Sequence, residues 1–474
     1  MDLNLKRHKL LDALQGKIPQ DVILLSLEDC APYGGDWTRL TGKPLLVFLP
    51  KTTEQVSLIL KSCNQLKIPV VPSGGRTGLS GGAVVTQSEV VLSLSRMNQM
   101  SPVDVLGRTV RVQAGAITES VHEHCAREGL LWPIDLASKG TCEVGGNLST
   151  NAGGVRVIRY GMVRRWVSGL QIVTMNGDVI ELNRGLEKNN TGYDLIQLMV
   201  GSEGTLAVIT EATLKLARLP HKEHVLFFAV PDLESVSELF SRARRGPFEI
   251  LAFEFFSQRC LKAVETKLHR KSKLSKSGEF YVLMEIELGP GSEPEALLED
   301  WLSQVLEADF ILDGLLAQSS AEKKEVWGLR EGITESIALT NEVRKYDTSV
   351  AVTNIVGFVN EASRLFHSMN LGAELYLFGH FGDGSPHLNV VRRDTVDHKT
   401  YVEDCDRFEK ELYPLIKKWG GSASSEHGVG LLKKSWVEMS RTSEEMALFR
   451  AIKTAFDPNH LLNPGKIFNL LSTG

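Results

Sequence analysis

Residues 72–82 read PSGGRTGLSGG, and Gly74, Gly75, Gly78, Gly81 and Gly82 make this the stretch from which the fold is read. Just before it, Ile68 to Val71 is apolar and predicts a strand. Further upstream, LLVFLP at 45–50 predicts another strand. Residues 52–66 predict a helix, capped by Thr52 or Thr53, with Val56, Ile59, Leu60 and Cys63 on one face. Strand, helix, strand and glycine loop form an α/β unit. Glycine allows close backbone approach, so successive N–H groups can converge on an anion such as a pyrophosphate. The loop has no GK[ST] and lacks GxGxxG spacing, so it is neither a Walker A nor a Rossmann loop. Taken alone, it serves equally well as tight turns on a curved sheet.

Two further clusters favour a ligand. GTCEVGGNLSTNAGG at 140–154 sets Asn147, Ser149, Thr150 and Asn151 among Gly145, Gly146, Gly153 and Gly154. GSEGTLAVIT at 201–210 adds Gly201 and Gly204. Short polar side chains on an exposed glycine backbone suit the edges of a flat polar ring system. Three such loops exceed what turn geometry needs, so a cofactor with a pyrophosphate and a heterocycle is expected.

These three segments resemble the flavin domain of the vanillyl-alcohol oxidase, or PCMH-type, family. The resemblance covers about residues 40–218 and implies FAD. In that family Pro72, Ser73, Gly74, Gly75, Arg76, Thr77, Gly78 and Leu79 would wrap the pyrophosphate. Pro133, Thr141, Gly145, Asn147, Asn151, Gly204 and Ile209 would complete the site, and Asn463 in NPGKIF would return to it from the C-terminal part. No histidine in these loops is a clear candidate for covalent attachment, so non-covalent FAD is expected.

Composition agrees with an ordinary folded protein. The chain has 474 residues, enough for about three domains. Fifty-three basic residues against 58 acidic ones give a net charge of −5, which argues against general nucleic-acid binding. The six cysteines form no CxxC or iron–sulfur run, so free thiols in a reducing compartment are expected. Residues 1–20 carry charges throughout and lack a secretory h-region; Leu3, Leu10, Leu11 and Leu14 have helical spacing, and Asp2 and Asp12 argue weakly against a targeting helix. No stretch reaches 18 apolar residues, so no transmembrane span is expected.

A second constellation lies downstream. GHFGDGSPH at 379–387 places His380 and His387 seven apart, with Gly382 and Gly384 between them to fold the backbone. Two neutral imidazoles suit zinc, cobalt, manganese or iron. Asn389 would share a strand face with His387. Glu426 and His427 are adjacent; on a strand they would point apart, with Glu426 as ligand and His427 facing substrate as base. Arg330 and Thr334 are i and i+4 on one helix face, and Lys345 follows. Arginine grips a carboxylate in bidentate fashion, whereas lysine supplies a point charge. Without further information, ordinary ion pairs from Arg330 to Glu331 or Glu335 are the simpler reading.

WGLREGITES, RKYDTSV, GHFGDGSPHLNV and EHGVG resemble the D-2-hydroxyglutarate dehydrogenase branch of the D-lactate dehydrogenase-like flavoproteins, over nearly the whole chain. The resemblance implies that His380, His387 and Glu426 bind a divalent metal, usually zinc, with Co2+, Mn2+ and Fe2+ as alternatives. Asn389 and His427 would contact substrate, and Arg330, Thr334 and Lys345 would hold a distal carboxylate. Two departures stand out. Ser385-Pro386 precedes His387 where the family usually has an Asn-Leu pair, and Ala351 occupies a usual proline position.

The expected activity is FAD-dependent oxidation of a D-2-hydroxy acid, D-2-hydroxyglutarate or D-malate, with His427 as base. D-Lactate or glycolate oxidation, a sugar or alcohol oxidase, and a non-catalytic flavin-binding redox subunit are the alternatives. An electron-transfer flavoprotein or a quinone is the expected acceptor class, and a homodimer is left open. The location expected is cytoplasmic, or the mitochondrial matrix in a eukaryote. The expected fold class is α+β. A helical segment at 1–40 precedes a PCMH-type FAD domain at 41–218 and an antiparallel-sheet substrate cap at 219–420. Residues 421–474 are expected to return to the flavin and metal sites.

Overall fold

A computed structural model describes residues 3–469; Asp2, weighed above, lies outside the described residues. The chain divides into two compact units. One comprises the segment up to Gly154, Met162–Leu219 and the chain from Glu426 onward; the other comprises Val155–Gly161 and Pro220–Ser425.

The first unit carries two four-stranded sheets. In one, Val47–Phe48 and Val70–Ser73 flank Val90–Ser93 as parallel neighbours, and Ile23–Leu24 adds an antiparallel edge. The crossover between the first two is the helix Thr53–Gln65, whose N-cap Thr52 accepts from the Gln55 amide. Its buried Val56, Ile59, Leu60 and Cys63 pack with Phe48, Val70 and Leu92. That apolar stripe, and not helix propensity, holds the helix in place. The other sheet is antiparallel, in the order Thr109–Gln113, Val208–Lys215, Val167–Val173, Val179–Leu182. Asn176-Gly177 joins its last two strands, with Gly177 at φ +86. The GGNLS part of the second glycine cluster differs from the expected loop: Val144–Ser149 is a short helix.

The second unit is built on a seven-stranded sheet in which every neighbouring pair is antiparallel. Its order is Asp313–Leu316, Lys222–Val230, Phe280–Leu288, Glu249–Ser257, Ala373–His380, Ser385–Arg392, Val343–Asp347. Helices Gln258–Lys267 and Ser320–Thr340 cover one face, where Cys260, Val264, Leu329 and Ile333 pack with Phe227, Phe256, Tyr281 and Phe378. Residues directly opposite in antiparallel strands put their side chains on the same face. His380 lies opposite Glu254, Phe378 opposite both Phe256 and His387, Asp347 opposite His387, and Lys345 opposite Asn389. The register therefore gathers Glu254, His380, His387, Asn389, Lys345 and Asp347 on the face that the Arg330 helix covers.

Candidate flavin cleft and metal centre

The glycine clusters of the first unit converge on a cleft of about 920 Å³. Pro72, Ser73, Gly74, Gly75, Arg76, Thr77, Gly78, Gly145, Asn147, Gly204 and Ile209, singled out in the sequence, line it. Leu79, Pro133, Thr141, Asn151 and Asn463 are not among the lining residues. The Thr141 carbonyl instead explains why residue 75 is glycine, because a Cβ there would lie 2.2 Å from that oxygen. Asn463 acts one step back. Its Nδ2 donates to the carbonyls of Gly82, at 3.0 Å, and Glu203, at 2.8 Å, and both of those residues line the cleft. Asn151 accepts from the Arg164 amide.

A cofactor cradle should present backbone and orphaned polar atoms to open space. A Cβ on Gly146 would meet no protein atom within 4 Å, so the main chain itself forms that wall. Sequence reading missed Glu143, which is buried in the cleft with no hydrogen-bond partner for Oε2. Burial pushes its carboxyl up to about 7, against a smaller pull from Arg76. Arg76 sits at φ +56 over the Tyr33 ring. Glu203, also buried, accepts from the amides of Val429 and Gly430 at 2.7 Å each, and Ser80 donates to the His427 carbonyl. These bonds hold the EHGVG segment.

In the second unit the turn Phe381–Asp383, ended by Gly384 at φ +81, closes a hairpin and brings the His380 and His387 rings to 5.2 Å. His380 Nδ1 lies 2.7 Å from Glu254 Oε1, and His387 Nδ1 lies 3.9 Å from Asp347 Oδ1. Asp347 also accepts from the Ser425 amide, and the Ser425 hydroxyl bonds that of Ser385 at 2.7 Å. Glu426 is the next residue along the chain. His380 and His387 thus present two ligand nitrogens side by side that could hold a metal ion, with Glu426 the further donor that the sequence offers. A nitrogen, nitrogen, oxygen donor set suits several first-row divalent ions. With Nδ1 of His380 engaged, Nε2 is its remaining ligand atom.

Three expectations need revision. Glu426 and His427 lie in a bend and not on a strand, so their side chains do not diverge: His427 Nε2 is 3.7 Å from Glu426 Oε1. Arg330 has a partner that helix spacing did not offer. Its Nη2 lies 2.6 Å from Glu254 Oε2, and its guanidinium stacks on Phe378 at 4.8 Å. Thr334, one turn along the same helix, is exposed whereas Arg330 is buried. Arg330 Nε and Asn389 Nδ2 are buried donors without hydrogen-bond partners, the mark of a polar pocket. Burial lowers the Lys345 pKa below that of an ordinary lysine, so an anion beside it would be favoured. The unread residue here is Glu254. Its signal was a lone carboxylate in the apolar strand EILAFEFFS. Pro386 sits at the strand start, where its missing N–H costs little, and its carbonyl accepts from Thr348 Oγ1.

All six cysteines are free and buried. Among the described residues no helix is long and apolar enough to cross a membrane.

With a glycine-walled cleft and a two-histidine cluster in hand, known proteins supply the class. Residues 44–183 match the family model described as an FAD binding domain, and residues 219–467 match that of the FAD linked oxidases, C-terminal domain. The chain belongs to the FAD-linked oxidases. The fold is shared with p-cresol methylhydroxylase, solved with substrate bound, at a TM-score of 0.74 and 18% identity over 98% of this chain and 96% of that one. Sequence narrows the class. A D-2-hydroxyglutarate dehydrogenase of Xanthomonas citri pv. viticola is 41% identical, over 96% of each chain. A mitochondrial D-2-hydroxyglutarate dehydrogenase of Danio rerio is 37% identical over 91% of this chain and 80% of its own. The protein is an FAD-dependent dehydrogenase related to the D-2-hydroxyglutarate dehydrogenases.

Proposed function

We propose that the protein oxidises D-2-hydroxyglutarate to 2-oxoglutarate, and D-malate where the pocket admits the shorter chain. Electrons pass to an external acceptor such as an electron-transfer flavoprotein or a quinone. The supporting observation is the single sheet face on which His380, His387, Asn389 and Lys345 meet buried Arg330. A monocarboxylic substrate such as D-lactate has no use for a second cationic group. A diacid does.

When bound, FAD supplies the hydride acceptor, and a divalent metal supplies Lewis acidity that makes a hydroxyl easier to deprotonate. His380, His387 and Glu426 would hold the metal, zinc being the first choice. Non-covalent FAD would lie in the glycine-walled cleft. Arg330 binds the distal carboxylate through its free Nε–H, and Lys345 adds charge. Asn389 Nδ2 donates to the substrate and fixes its orientation. His427 takes the hydroxyl proton on an imidazole nitrogen.

The test is steady-state reduction of a dye acceptor by D-2-hydroxyglutarate, D-malate and D-lactate, before and after chelation with verified metal loss. The expected result is a preference for the diacids and loss of activity without metal. Equal rates on D-lactate, unchanged in R330M, would overturn the diacid assignment. Full activity after metal removal would return the protein to the sugar or alcohol oxidase reading.

A further inference from the structure

Glu254 touches both halves of the second unit's cluster. It sits in EILAFEFFS, on a strand with neighbours on both sides, where six of nine residues are apolar. Its side chain is 1% exposed. A carboxylate there is tolerated only with compensating partners. It has two, one on each oxygen: His380 Nδ1 at 2.7 Å from Oε1 and Arg330 Nη2 at 2.6 Å from Oε2. The sheet register supplies the first contact by setting Glu254 opposite His380. The helix Ser320–Thr340, packed on that face, supplies the second.

We infer that Glu254 is a positioning residue that ties the metal-binding imidazole to the diacid-binding arginine, so that metal affinity and carboxylate selectivity depend on one side chain. The inference rests on the functional reading above. By accepting from Nδ1–H, Glu254 fixes the tautomer that leaves Nε2 as the ligand atom, and it locks the ring plane. By its ion pair with Arg330 Nη2, it leaves the guanidinium held at one corner with Nε still unpartnered. Asp347 stands farther from His387, with Oδ1 3.9 Å from Nδ1, and that oxygen also accepts from the Ser425 amide and hydroxyl.

A glutamine keeps the shape of Glu254 but not two acceptors. One end becomes an NH2 donor, which must then face either the His380 N–H or the Arg330 N–H. The experiment compares wild type, E254Q, E254D and R330M, each loaded with FAD. Metal-free protein is titrated with Co2+ and followed by its d–d absorbance, and kcat/KM is measured for D-2-hydroxyglutarate and D-lactate. In E254Q, Co2+ affinity should fall about 10- to 100-fold, the usual loss when an outer-shell partner is removed. The preference for the diacid should fall about tenfold in the same variant. R330M should lose that preference and keep its Co2+ affinity. E254D retains a charge on a shorter arm and should fall between, and it carries the comparison if E254Q does not fold. E254Q that matches wild type in both Co2+ affinity and substrate preference overturns the inference alone. Wild-type protein that takes up no Co2+ overturns the metal reading on which it stands.

Discussion

Glu143 and Glu254 are both buried glutamates, one in each unit, and their surroundings treat them oppositely. Glu143 faces a cleft walled by glycine backbone, with no hydrogen-bond partner on Oε2, and burial pushes its carboxyl up to about 7. Glu254 is more deeply buried, and that burial alone would raise its pKa. The pull of His380 and Arg330 outweighs it and holds the carboxyl below its ordinary value. Partners, and not depth, decide whether a buried acid keeps its charge. The contrast extends to the two regions. The cleft is made of main chain and recognises by close approach, whereas the cluster is made of charged side chains and recognises by partner.

If that contrast is right, the largest effects should follow from deleting one side chain of the cluster. H387A should lower kcat/KM for D-2-hydroxyglutarate by roughly 10³-fold, the several kcal/mol that Lewis-acid assistance is worth. Its flavin spectrum should be unchanged, because the cleft is a different structure. Dye reduction and absorbance on one sample check both. Next, R330M should cost about 10- to 100-fold on D-2-hydroxyglutarate and little on D-lactate, as expected for losing a charged hydrogen bond. Equal losses on the two substrates would mean that the arginine serves only to neutralise Glu254.

The cleft should answer to bulk. G75A drives a methyl toward the Thr141 carbonyl, 2.2 Å from its ideal position. Overpacking of this kind costs about 1–3 kcal/mol, so FAD should bind roughly tenfold more weakly by fluorescence titration. Substitution of Arg76 by lysine, which changes no backbone, should change FAD affinity less. The last effect is expected at Glu143, on stability and not on activity. Its folded pKa of about 7 lies above the 4.5 of an ordinary glutamate, so the folded state binds the extra proton between those values. Stability of the apoprotein should therefore fall as pH rises through that window and then level off. E143Q should remove that component, worth roughly 3 kcal/mol for the shift from 4.5 to about 7 at 1.36 kcal/mol per unit. Denaturant midpoints at pH 5 and pH 8 measure it. An identical pH dependence in E143Q would show that Glu143 has found a partner after all.

Legibility followed the same division. The cleft could be read because glycine clusters are local signals: Pro72 to Gly78, Gly145, Asn147, Gly204 and Ile209 line one space. His380 and His387 could be read because a seven-residue hairpin is also local. Glu254 lies 126 residues before His380, and only the strand order of the sheet makes them neighbours. No periodicity in one sequence encodes that order. Arg330 was singled out by type, but its partner could not be, because helix spacing offers Glu331 and Glu335 first. Thr334 shows the limit of i,i+4 reasoning, since a shared helix face does not ensure shared burial. The Glu426-His427 divergence failed for a simpler reason: the bend there is pinned by bonds from the following amides to Glu203, more than two hundred residues away.

Asn463 fastens the carbonyls of Gly82 and Glu203 with one amide group. Those two walls are translated first, and the fastener 260 residues after the second of them. A nascent chain can have every glycine loop outside the ribosome and still lack the tie that closes them. A chain cut short before Asn463 would keep every glycine loop and lose the tie between two of them.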